Sequence, residues 1–452
     1  MSATDLIIVG AGPAGISAAI EARKRDLSVL LLDENAAPGG RIWQALEARG
    51  AKDADDAAAL RTLQAFRACG AEARWRATVW AIDPDGTVYW SEDDATRSAR
   101  GAFVLLSTGT TERPLPIPGW TLPGVMTVGA AQIALKTAGL VPTGATWMAG
   151  QGPLLLLYAA QALRADGRFA GVLDLSDRRA RWKALRHLPL AARAIADLRK
   201  GLMWRRQISR ARVRWIRATD LRAEGETALS QVRFRAGGRD HAVPADLLLL
   251  HDGVIPSLQI TRALGLAHSW DAAQRCWKPA TDEWGVTSLP NLLVAGDAAG
   301  VGGALAATFA GRLAVLGAAR ALGRISAATR DAAAAPLRAA RARHLALRPF
   351  LDALYAPRPP LLDDTTLVCR CEEVTAGQIR EAANIGALGL NQLKAFTRCG
   401  MGPCQGRMCG AAAAEVMAAA RGVPVEKIEP LRTRFPTKPL TLGELAALDE
   451  DV

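Results

Sequence analysis

Residues 5–33 read DLIIVGAGPAGISAAIEARKRDLSVLLLD. DLIIVG is an apolar run of strand type, GAGPAG a glycine loop, ISAAIEARKRD a helix-forming stretch and SVLLLD a second strand. Gly10, Gly12 and Gly15 stand at G-x-G-x-x-G spacing, with Pro13 and Ala14 between the last two. Glycines there let the backbone turn tightly and approach a pyrophosphate, whose charge then meets the positive end of the following helix. An acid closing the second strand accepts hydrogen bonds from ribose hydroxyls; Asp33 is the better placed and Glu34 the alternative. A glycine triplet alone is weak evidence. Here strand, helix and acid accompany it, which predicts a dinucleotide-binding unit.

Three later stretches favour FAD over NAD as the nucleotide. Pro38-Gly39-Gly40-Arg41 follows the acid closely, where a glycine pair lets the chain pass near the flavin side of the cofactor. LLSTGTTERP sets Thr108 and Gly109 at a strand end, and LPNLLVAGDAAG ends another strand in Gly296-Asp297. The Asp297 carboxylate suits ribitol hydroxyls, and a helix starting near Gly302 points its amide dipole at the flavin. Together these stretches resemble the two-dinucleotide-domain flavoproteins of the glutathione reductase type, from residue 4 to about residue 322.

ATWMAGQGPLLLLYAAQAL (145–163) is a second candidate unit. Gly150 and Gly152 repeat the first two glycines, but Leu155 stands where the third would be and hinders close packing or phosphate approach. DLLLLHDGVIPSLQ, from Asp246, resembles the strand that closes such a domain. The unit is therefore read as a structural remnant first and a working NAD(P) site second. Neither unit holds the redox-active Cys-x2-Cys that thioredoxin reductase-like members use.

Near the C-terminus, Cys369 and Cys371 form a Cys-x-Cys pair, and after a 32-residue gap Cys404 and Cys409 form a Cys-x4-Cys pair. Two such loops can supply four thiolates to a [2Fe-2S] cluster, which neighbouring backbone amides tune. Thr375 with Gln378 is a capping-box signature, NQLKAF is helix-like, and Gly400, Gly402, Pro403 and Gly406 favour a tight loop with exposed amides. GAAAAEVMAAARG closes the unit as a helix. The arrangement resembles the bacterioferritin-associated ferredoxin-like [2Fe-2S] domain over residues 365–420, with a wider final Cys–Cys gap than its single-domain members. Cys399 is a spare that could replace Cys404 or Cys409. Four thiolates would also hold zinc, although zinc sites usually pair two Cys-x2-Cys knuckles.

The chain of 452 residues is too long for one core. The expected organisation is a flavin domain at 1–140 and 256–345, a second nucleotide-binding-like domain at 141–255, a proline-rich linker at 346–364, the cluster domain at 365–420 and an extended tail at 421–452. The fold class is α/β. Five of seven cysteines lie in the last quarter, unlike a secreted disulfide framework, and no stretch of about 18 apolar residues or leader is present, which points to a cytoplasmic protein. Net charge is +12. Its largest source, the Arg-rich stretch 177–217, alternates apolar and basic residues at helical spacing, so it is a solvent-facing helical face first and a membrane-surface or partner-docking face second. Nothing resembles a nucleic-acid-binding module. The five histidines show no pairing with Ser, Cys or acids along the chain, and His251 is a strand-end residue before it is a nucleotide contact.

GAGPAG with LLDENAAPGGRI, ERPLPIPGWTLPGVMTVGAAQ, LVAGDAAGVGGALAA, VCRCEEVT and TRCGMGPCQGRMC together resemble the α-type subunits of heteromeric amino-acid dehydrogenases. That group includes the A subunit of opine oxidase, a hydrogen cyanide synthase subunit, and the large subunits of D-hydroxyproline and L-proline dehydrogenases. The resemblance implies an FAD and [2Fe-2S] electron-transfer subunit that is inactive alone. A D-amino-acid-oxidase-like β subunit would oxidise an opine, proline, hydroxyproline, glycine or similar amino acid at its own flavin. For some relatives it also implies an FMN at a subunit interface, together with a small [2Fe-2S] γ subunit. Arg41 departs from the pattern, standing where many relatives have glutamine, and so does Leu155. Outside this resemblance, the residues also allow a self-contained NAD(P)H-dependent FAD/[2Fe-2S] reductase, or a non-catalytic scaffold.

Overall fold

The computed structural model describes residues 4–360 and 362–448. Residues 1–3, 361 and 449–452, assigned above to the first flavin segment, the linker and the tail, lie outside the described residues. The apolar run at Thr4–Val9 is a strand whose Leu6, Ile7 and Ile8 have no exposed surface. Such a run without polar alternation suits a strand covered on both faces. It pairs in parallel with Val29–Asp33 on one side and Ala95–Leu106 on the other. Glu72–Trp75 and Leu292–Val294 extend the parallel part, and the antiparallel strands Thr87–Glu92 and Thr78–Ile82 complete a seven-stranded sheet.

A second, five-stranded parallel sheet has the order Arg214–Arg217, Gly171–Asp174, Thr146–Gln151, Leu247–Asp252, Val125–Thr127. Its edge strand Val125–Thr127 lies upstream of the expected boundary at residue 140, because Leu248–Leu250 pair with it in register. The antiparallel ribbon of Thr110–Glu112 with Val254–Pro256 joins the two sheets. The fold is thus α/β with two sheets of dinucleotide-binding type and a small helical C-terminal unit.

Helix Ala304–Ala321 has the length and apolar content to cross a membrane, but half of it is buried inside the protein. It runs against helix Pro13–Arg23. A Cβ on Gly311 would fall 2.1 Å from the Ala14 carbonyl oxygen, and Arg312 pairs with Glu21 at 2.9 Å. It is a core helix. The Arg-rich stretch forms the helices Arg178–Leu185, Leu188–Ala191 and Ile195–Arg210, with Trp182, Leu202 and Met203 exposed.

In the C-terminal unit, Thr375 and Gln378 make the reciprocal capping bonds that start helix Ala376–Asn384. Helices Leu390–Thr397 and Gly410–Arg421 follow. Val425, Ile428 and Leu431, which the sequence placed in the tail, are buried in this unit's core, as is Leu362 from the linker. A core this small needs every apolar side chain its flanks can contribute.

Candidate cofactor sites

The first glycine loop lies where the sheet, helix Pro13–Arg23 and helix Ala304–Ala321 converge, and it opens on a cleft. Gly10, Gly12, Pro13, Ala14, Asp33, Glu34, Gly40, Arg41, Thr108, Gly109 and Asp297 all line that cleft. Gly15, Gly39 and Gly296 support it from behind. A Cβ on Gly15 would sit 1.9 Å from the Gly10 carbonyl oxygen, so only glycine lets the helix close on the strand. Gly39 donates its amide to the Ala11 carbonyl at 2.9 Å, and Gly296 packs against Ala14.

Gly12 differs from these. A Cβ placed on it would meet no protein atom within 4 Å, so the space in front of it is kept for something else. That open volume at a helix N-terminus fits the pyrophosphate of FAD. Asp33 is buried; its Oδ2 accepts from the Ala11 amide at 2.5 Å and its Oδ1 from the Asn35 amide at 2.7 Å. Burial pushes its carboxyl above the usual range against these bonds. Glu34 is more open and pairs with Lys438 at 2.6 Å. Burial alone would raise it, but Lys438, Arg41 and Arg407 outweigh that and hold it below the usual range. Asp297 Oδ1 accepts from the amides of Gly302 and Gly303, both at 2.9 Å, which fixes the carboxylate at the start of helix Ala304–Ala321. There it would hold ribitol hydroxyls.

The second loop has the same backbone plan and a different filling. Gly152 caps helix Pro153–Arg164, as Gly12 caps the first, yet a Cβ on it would lie 3.3 Å from Nε2 of His251. On Gly150 a Cβ would collide with the His251 carbonyl oxygen at 1.7 Å. Leu155 is buried in the core between this helix and its sheet. Asp174, at the end of the second strand of the unit, accepts from the Ser176 amide at 2.9 Å and the Trp215 indole at 3.1 Å. Gln151 donates to Asp252 at 2.8 Å and to the Ala356 carbonyl of the linker at 3.2 Å. The His251 ring thus stands in front of this loop, where no protein atom stands in front of Gly12.

His251 is also paired, contrary to the reading along the chain. Its Nδ1 lies 2.5 Å from Oε1 of Glu112, whose other oxygen accepts from the Gly129 amide at 2.8 Å. The partners are 139 residues apart, so no local pattern announces them.

The cysteines converge on one place. Cys369 ends strand Leu367–Cys369, and the sulfurs of Cys369, Cys399 and Cys409 lie within 4.8 Å of one another, all buried. Cys371 and Cys404 are hydrogen-bonded to each other beside them. The four cysteines selected by spacing are therefore joined by Cys399 rather than standing apart from it. Hydrogen bonds from Cys399 and Cys409, then the amides of Gly400 and Glu372, pull the Cys369 thiol far below its ordinary pKa. Backbone amides beside clustered cysteine sulfurs are what an iron-sulfur site requires. Close approach is built in: a Cβ on Gly402 would fall 2.3 Å from Cβ of Cys371.

Comparison with known proteins follows the same division. Residues 4–142 match the pyridine nucleotide-disulphide oxidoreductase family and residues 367–419 the BFD-like [2Fe-2S] binding domain. The chain is 41% identical to the A subunit of opine oxidase from Rhizobium meliloti (strain 1021), covering 100% of both chains. It is 31% identical to hydrogen cyanide synthase subunit HcnB of Pseudomonas aeruginosa, over 96% of each. Among solved structures, L-proline dehydrogenase from P. horikoshii superposes with a TM-score of 0.72 at 18% identity, covering 98% of this chain and 79% of that one, a likeness of fold. The cofactors are FAD and [2Fe-2S], which sets the zinc reading aside. With this likeness along its whole length and both sites in place, the chain is an oxidoreductase belonging to the family of the opine oxidase A subunit.

Proposed function

We propose that the chain relays electrons within a heteromeric dehydrogenase, in which a partner subunit resembling D-amino-acid oxidase oxidises an opine, proline, hydroxyproline, glycine or a similar amino acid at its own flavin. The observation that carries this reading is that Arg407, from the loop between Cys404 and Cys409, lines the flavin cleft, so the cysteine loop and the FAD cleft share a wall. FAD supplies acceptance of an electron pair, and the cluster supplies its onward passage one electron at a time. This chain's residues bind and orient: Asp297 and the first glycine loop position FAD, and Cys369, Cys371, Cys404 and Cys409 are the proposed cluster ligands, with Cys399 as a neighbouring fifth thiol. Serine at any of the four should abolish the visible [2Fe-2S] spectrum, and Cys399→Ser should leave it. Retention of the spectrum in one of the four would exchange that residue for Cys399.

Co-expression with the proposed partner tests the assembly. The complex should reduce an artificial acceptor when given a secondary-amine amino acid or opine, and flavin extraction should return FAD, with FMN if a third flavin sits at the interface. A small [2Fe-2S] γ subunit would co-purify. Turnover by this chain alone would overturn the proposal.

An NAD(P)H-fed reductase is the second reading, favoured by the parallel sheet and glycine loop around Gly150 and Gly152. Leu155, the Asp174 contacts and Ala356 at the loop weigh against it. Bleaching of the flavin by NADH would reverse that preference.

A further inference from the structure

The flavin cleft is not built by the flavin domain alone. At its Asp33–Glu34 end, three lining residues come from elsewhere in the chain: Arg407 from the cysteine loop, and Thr437 and Lys438 from the tail. They are held there by a short network. Gln405 donates to the Pro436 carbonyl at 2.7 Å and Arg407 to the Thr437 carbonyl at 3.2 Å. Thr437, almost fully buried, returns its amide and hydroxyl to the Trp80 carbonyl at 2.9 and 3.2 Å. Leu431 packs so closely on the cysteine loop that a Cβ on Gly400 or Gly406 would fall 2.5 or 2.2 Å from its side chain. The tail therefore ties the cysteine loop to the flavin sheet, and the tie lines the cleft.

The charge on this wall has a purpose that packing does not supply. Lys438 is neutralised by Glu34, but among the described residues Arg407 has no carboxylate within ion-pair distance, and it faces the same cleft as the open space before Gly12. A diphosphate seated at the glycine loop would bring the missing negative charge. Guanidinium–phosphate contacts are charge-assisted and geometrically specific.

We propose that Arg407 and Lys438 bind the ADP half of FAD, so that the cluster domain and tail form one wall of the flavin site and flavin retention is coupled to cluster occupancy. Ligation at Cys404 and Cys409, which rests on the ligand set proposed above, brackets Arg407 and holds its backbone in place. Loss of the cluster frees that loop and with it the wall. Coupling of this kind is reciprocal: the factor by which the cluster tightens FAD equals the factor by which FAD tightens the cluster.

The test uses the full chain stripped of flavin with its cluster intact, and titrates it with FAD and, separately, with ADP. Arg407→Gln and Lys438→Met should each weaken binding of both ligands by about tenfold or more, the scale of a lost charge-assisted bond, at unchanged iron content. Removal of the cluster by chelation should weaken both ligands in the parent chain, and FAD should slow iron loss to chelator. Asp297→Ala, at the ribitol end, should weaken FAD and spare ADP. ADP binding within twofold of the parent in both Arg407→Gln and Lys438→Met would reduce the tail to a structural strap and overturn the proposal. Loss of ADP in Asp297→Ala as large as in Lys438→Met would overturn the placement of the ADP half at this wall.

Discussion

The two glycine loops are the same sentence of backbone with different endings. Each follows a buried parallel strand, each ends in a Gly-Pro that starts a helix, and each is backed by an acid at the next strand end. At Gly12 the space in front of the backbone is open, whereas at Gly152 it is bounded by His251. At the third position Gly15 lets helix and strand touch, whereas Leu155 fills the gap with side chain. The comparison teaches that one backbone plan can carry two different fillings in front of its glycine loop, because the burial that stabilises the sheet does not depend on that filling.

The strongest way to break the comparison is to close the open loop. Gly12→Val places its Cβ in ligand space at a backbone angle, φ −77°, that valine accepts, so the variant should fold and purify without flavin. Full FAD content, measured by extracting the flavin and quantifying its fluorescence, would show that Gly12 does not face the pyrophosphate.

Opening the closed loop should cost stability and leave ligand content as it is. Leu155→Ala removes buried volume and should cost about 2–5 kcal/mol of stability in denaturant titrations, with flavin content unchanged and no gain of NADH binding. Flavin loss in this variant would mean that the two loops are coupled.

A smaller contrast separates the acids. Asp297→Ala should weaken FAD binding by about 1.5–3 kcal/mol, read by equilibrium dialysis. Asp174→Asn should not change it, because the carboxylate of Asp174 serves Ser176 and Trp215.

The smallest effect sets the buried His251 against the half-buried His268. His251 rests on Glu112, but His268 hydrogen-bonds to Thr261 and the Leu266 carbonyl, and burial, then the Arg262 charge, pushes it down to about 4 from 6.5. Between those values the unfolded chain binds a proton that the folded chain does not, so stability should fall as pH drops from 6.5 to 4. His268→Gln should flatten that slope in urea midpoints measured across the range.

Much of the site was legible because it is local. A Gly-x-Gly-x-x-Gly between a strand and a helix, an acid at a strand end, and a capping box at Thr375 all act over a few residues, and the structure places each as its spacing predicts. The lone Leu155 already marked the second loop as altered. Other features had no such signal. Glu112 meets His251 across 139 residues and Lys438 meets Glu34 across 404. Cys399 could be named only as a spare, since which thiols meet depends on how one loop folds over another.

Backbone geometry over short spans was therefore determined by sequence alone: two nucleotide-type units, one intact and one altered, and a cysteine-bearing helical unit. Where the tail lies, which cations face the flavin cleft and how far the second sheet reaches were decided by tertiary structure. The reason is physical. Local patterns record steric and hydrogen-bonding needs that neighbouring residues satisfy among themselves, whereas an ion pair between distant residues exists only after the hydrophobic docking of whole units has brought them together.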